Sequence, residues 1–87
     1  PSQPKVLYWR DKDRHEIDFV IPGARGSAMA IECKWNASGF DPRNLKKFRE
    51  THPTGKNLVV AVNVSELYTR EVAGLTVTFT GIDGLKF

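Results

Sequence analysis

His15-Glu16-Ile17-Asp18-Phe19-Val20-Ile21 and Ala30-Ile31-Glu32-Cys33-Lys34-Trp35 decide how this chain is read. Both stretches are rich in β-branched and aromatic residues, and each sets charged residues two apart among apolar ones, as a strand does. Side chains alternate across a strand, so Glu16 and Asp18 are expected on one face and Ile17, Phe19 and Ile21 on the other. The same rule places Glu32 with Lys34, and Ile31, Cys33 and Trp35 behind them. If the two strands are antiparallel neighbours, carboxylates and an ammonium gather on one sheet surface. That is the composition of a divalent-metal site for phosphodiester chemistry.

Working outward, residues 1–4 read as a lead-in and Lys5 to Arg10 (KVLYWR) as a first strand. Asp11-Lys12-Asp13-Arg14 is a polar hairpin connection, His15 to Ile21 the second strand, and Pro22 to Ser27 a loop. Ala28 to Asn36 is the third strand, so the first part is an antiparallel meander. Asp41-Pro42 then offers an N-cap followed by proline at the first helical position, and Leu45 and Phe48 mark the apolar side of a short helix ending before Pro53. Lys56 to Val64 (KNLVVAVNV) is a near-continuous apolar strand, expected to be buried on both faces. A helix between meander and strand implies a crossover connection. Ser65 to Arg70 reads as a turn and Leu75 to Thr80 as a last, edge strand. One helix covers such a sheet poorly. A missing helix, a second copy in a homodimer, or the rest of a longer protein is expected to pack there.

Eighty-seven residues make one domain, 1–87, of ordinary globular composition: 40% hydrophobic and 26% charged. A formal charge of +3 permits an acidic partner such as nucleic acid. Cys33 is the only cysteine, which excludes an internal disulfide and with it a stapled secreted mini-domain. Neither a signal-peptide pattern nor an apolar run of the ~20 residues a membrane span needs is present, so no membrane partner and a cytoplasmic location are expected.

Mg²⁺ takes hard oxygen ligands at about 2.1 Å, usually one or two protein carboxylates with waters and substrate phosphate. Asp18 and Glu32 are the candidate carboxylates, with the Cys33 carbonyl as a backbone ligand. Lys34 can orient or deprotonate an attacking water, or neutralise charge in the transition state. The basic helix face, Arg43, Lys46, Lys47 and Arg49, is the candidate for phosphate contacts. Tyr8, Trp9 and Trp35 can stack on bases, although aromatic residues in strands more often belong to the core. Cys33 reads as a small buried hydrophobe. His15 shares the parity of Ile17 and so points away from Asp18 unless a bulge intervenes. His52 sits at a helix end, where a cationic imidazole suits the dipole, and both histidines read as structural.

An Asp on one strand followed by Glu-x-Lys on the next resembles the PD-(D/E)XK nuclease superfamily, here Asp18 and Glu32-Cys33-Lys34. With Tyr8-Trp9-Arg10-Asp11-Lys12-Asp13 and His15 to Val20 alongside, residues 6–64 resemble the nuclease-like domain at the C-terminal end of prokaryotic AAA+-type ATPases. The resemblance implies a restriction-endonuclease-like α/β core, a mixed sheet between helices, with Mg²⁺ or Mn²⁺ as cofactor and DNA, more than RNA, as substrate. It also implies that the chain is a C-terminal fragment whose ATPase portion lies elsewhere. Ile17 stands where the motif's name has Pro. The superfamily's acidic residue on a helix before the first strand has no counterpart here, which makes Glu16 the auxiliary candidate. The rival expectation is a catalytically inactive nuclease-like module for DNA binding, partner docking or oligomerisation.

Overall fold

In the computed structural model, which describes residues 5–84, the meander forms as β1 (Leu7–Arg10), β2 (Glu16–Pro22) and β3 (Ala28–Lys34). The lead-in over residues 1–4 lies outside the described residues. Asp11 organises the first hairpin: its Oδ1 accepts from the amides of Asp13 and His15 at 2.9 and 2.8 Å, which relieves the backbone of a turn in which Arg14 has φ 68°.

Helix α1 (Arg43–Thr51) starts one residue later than the cap reading placed it. Asp41 still meets an orphan amide of the first turn, since its Oδ1 accepts from the Arg43 amide at 2.9 Å. The chain then returns as β4 (Asn57–Ala61), parallel to β3 in register from Ala30↔Asn57 to Lys34↔Ala61. This is the expected crossover. The way in is tight. Gly55 has φ +132°, and a Cβ there would lie 1.9 Å from the Ala28 carbonyl oxygen, so only glycine fits.

The far end corrects the sequence reading. Part of the supposed turn over Ser65 to Arg70 is strand β5 (Tyr68–Val72), joined to β6 (Leu75–Thr80) through Ala73 and Gly74, both with positive φ, 54° and 81°. β6 is not the edge. The order is β1-β2-β3-β4-β6-β5, with β6 parallel to β4 and β5 antiparallel on the rim. An edge strand needs little apolar surface, and β5 is exposed at every residue but Val72. That is why Thr69-Arg70-Glu71 read as turn.

One face of the sheet lies under α1. Leu45 and Phe48 pack on Ile17, Val20, Ala28, Ala30, Val59, Val77 and Phe79, and Trp9 meets Phe48 edge-on at 5.2 Å between ring centroids. The other face carries Phe19, Met29, Ile31, Leu58 and Val60, and no α-helix covers it among the described residues. The sheet flanked by helices on both sides is met on one side only.

Candidate active site

The pairing of β1 with β2 contains one irregularity. Leu7 faces Val20 while Trp9 faces Ile17, so Tyr8 alone is matched by both Asp18 and Phe19. Such a bulge reverses the parity of every residue on its far side. Ile17 consequently joins Val20 in the core beneath α1. Glu16 turns to the opposite face, where it accepts a hydrogen bond from the Tyr8 hydroxyl. The auxiliary role expected of Glu16 therefore has no geometric support. It shares no face with Glu32.

Asp18 is held differently. The β2–β3 register ends at Phe19↔Ile31, and beyond it the Cys33 amide donates to Asp18 Oδ2 at 2.8 Å rather than to a strand carbonyl. The carboxylate thus fills the gap where the two strands part. Glu32 follows Ala28 and Ala30 on the helix-covered face and is only 4% exposed. Its Oε2 is buried without a hydrogen-bond partner. Burial pushes the Glu32 carboxyl from 4.5 up to about 7; Lys34 draws it back down, and the charges of Asp18 and Asp41 push it up. A buried carboxylate oxygen without a donor is costly, and a cation is the partner that would relieve it.

Asp41 is the acidic residue that the sequence reading used only as a helix cap. Its Oδ2 accepts from Arg43 Nε at 2.8 Å and faces Nη2 at 2.7 Å. That bond to Arg43 holds its carboxyl below the ordinary value, with Lys34 adding to the effect. The end of β3 and the start of α1 are thereby one electrostatic neighbourhood, with Lys34 the cation common to Glu32 and Asp41. No cluster of three or more His, Cys, Asp or Glu side chains is close enough among the described residues to hold an ion by itself. The charge of Asp18 is felt at Glu32, and two carboxylates would be within the one or two that Mg²⁺ commonly takes from protein.

Three other expectations are settled by position. Cys33 is exposed, not buried, because it sits at the strand end on the face without a helix. Trp9 belongs to the core, whereas Trp35 is 85% exposed. Arg49 is no phosphate contact: it is 7% exposed and makes four hydrogen bonds, to Asn57 Oδ1 and to the carbonyls of His52, Thr54 and Lys56, at 2.8 to 3.0 Å. It clamps the end of α1 to the approach of β4. Lys47 faces Glu50 at 3.4 Å and Arg43 is tied to Asp41. Lys46 is exposed, and among the described residues no ion pair engages it.

A family model described as a domain of unknown function, DUF4143, matches residues 1–78. The chain belongs to the DUF4143 family. That family is common in AAA-ATPase-associated proteins. Among curated proteins nothing matches this DUF4143 chain. No helix among its described residues is long and apolar enough to cross a membrane.

Proposed function

We propose that this DUF4143 chain is a restriction-endonuclease-like domain whose β2–β3 end is a metal-dependent phosphodiesterase centre acting on nucleic acid, DNA in preference to RNA. The observation that carries the proposal is the buried, unpartnered Glu32 Oε2 with Asp18 and Lys34 in its electrostatic reach. Asp18 and Glu32 would hold Mg²⁺ or Mn²⁺, with the Cys33 carbonyl as a backbone ligand. When bound, the metal supplies polarisation of the phosphate and a more acidic water. The charge of Lys34 is felt at both Glu32 and Asp41, and its ammonium would orient that water and offset charge that builds on the phosphate oxygens. Lys46 is the strongest candidate for holding the nucleic-acid backbone. The family's occurrence in AAA-ATPase-associated proteins supports an ATPase domain as partner.

Calorimetric titration with Mn²⁺ tests the centre before any substrate is chosen. Saturable binding by wild type, lost in Asp18→Ala and Glu32→Gln, is expected. Plasmid nicking that needs Mn²⁺ and disappears in Lys34→Ala completes the test, and equal cleavage by both chains removes the proposal. A second reading, an inactive module for docking or self-association, is favoured by the sheet face away from α1, where Phe19 is 45% and Tyr8 57% exposed although Ile31 and Val60 on the same face are buried. Its signature is metal-independent DNA affinity or oligomer formation without cleavage.

A further inference from the structure

The bulge that removes Glu16 from the site brings another side chain round. His15 lies on the reversed stretch before Ile17, and it lines a cavity of about 330 Å³ together with Asp41, Arg43 and Asn44. The cavity therefore opens between the β1–β2 turn and the first turn of α1, beside the carboxylate whose charge is felt at Glu32. The imidazole is not free to turn. Its Nδ1 meets Asp11 Oδ2 at 2.9 Å, while Asp11 is fixed through Oδ1 by the amides of Asp13 and His15. Partial burial raises the Asp11 carboxyl, but the bonds from the His15 amide and ring and from the Asp13 amide outweigh it and hold it below its ordinary value. An ionised Asp11 keeps the proton on Nδ1 and leaves Nε2 as the working nitrogen. A histidine oriented by a fixed carboxylate, next to a charged site, is the arrangement of a proton-transfer residue.

Resting on the phosphodiesterase reading above, we propose that His15 is the general acid of the reaction and Asp11 its positioning residue. The water oxygen forms the new bond to phosphorus and releases its proton to solvent. The electron pair of the breaking P–O bond passes to the leaving alkoxide, which takes the Nε2 proton of the imidazolium form of His15; the ring is left neutral with its proton on Nδ1, and solvent returns a proton to Nε2.

The test compares an ordinary DNA phosphodiester with one whose leaving oxygen is replaced by sulfur, a thiolate that departs without a proton. His15→Ala is expected to lose ~10²–10⁴ of the rate on the ordinary bond and to match wild type on the sulfur-bridged one. Asp11→Asn shows a smaller deficit with the same dependence on the leaving group. Mn²⁺ affinity is unchanged in His15→Ala, since the ring is no ligand; its side chain is 30% exposed, so its loss opens no core. A deficit of equal size on both substrates, or none on the ordinary bond, overturns the assignment while leaving the nuclease reading intact. Absence of any Lys34-dependent cleavage by wild type overturns the nuclease reading, and the role of His15 with it.

Discussion

Replacing Glu32 by Gln keeps the shape of the side chain and removes its charge, which isolates the electrostatic cost of the site. The folded carboxyl sits at about 7 against an ordinary 4.5. At about 1.4 kcal/mol per pH unit, holding the ionised form in the fold costs roughly 3 kcal/mol. Between pH 4.5 and about 7 the folded chain keeps a proton that the unfolded chain has released, so stability falls as pH rises through that window and levels off above it. Urea unfolding of wild type and Glu32→Gln at pH 5, 6, 7 and 8 reads this directly. The two are expected to be close at pH 5, with the variant more stable at pH 8 by up to about 3 kcal/mol. Adding Mn²⁺ at pH 8 should narrow the gap, because a ligand of the native state at a hundredfold over its Kd contributes about 2.7 kcal/mol. A difference between the chains that does not change with pH would refute the buried, unpartnered carboxylate on which the site rests.

Other perturbations test the frame around it. Arg49→Ala removes the four bonds joining α1 to the β4 approach and should cost about 3 kcal/mol in urea unfolding, leaving nucleic-acid affinity per folded molecule unchanged. Gly55→Ala drives a methyl into the Ala28 carbonyl at a positive φ and should cost about 2 kcal/mol or more, whereas alanine at Gly26, which has open space around it though φ is also positive, should cost less. If Lys46 holds one phosphate, Lys46→Ala lowers the slope of log affinity against log salt by about 0.9, and an unchanged slope removes that contact.

Much of the fold could be read because its signals are local. The alternation in Ala28 to Lys34, the polar Asp11 to Arg14 connection, the Asp41-Pro42 start and the apolar run into β4 each arise within a few residues. β5 could not be read the same way. An edge strand with one neighbour needs few apolar side chains: only Tyr68, stacked on Phe79, and Val72 meet the core, the Thr69-Arg70-Glu71 between them displays no hydrophobic period, and the Ala73-Gly74 turn lacks the Asn-Gly or Asp-Gly signature of the tightest hairpins. Cys33 and Trp35 failed for a related reason. Parity names a face but not whether anything covers it, and cover depends on what else packs there.

The site was half legible, and the missing half follows from one residue. Strict alternation through His15 to Ile21 puts Glu16 beside Asp18 and sends His15 away. The apolar run Phe19-Val20-Ile21 accepts either parity, so nothing in that stretch reveals where the register slips. The decision is made across the sheet, by Trp9 seeking the core beside Phe48 and pairing with Ile17 while Leu7 pairs with Val20. That single extra residue exchanges Glu16 for His15 on the face of Glu32. It also ends the β2–β3 ladder early enough for Asp18 to take the Cys33 amide. Core packing by Trp9 and composition of the site are therefore coupled. A substitution such as Trp9→Ala, which removes no charged group of the site, should release the bulge and disturb Mn²⁺ binding along with stability.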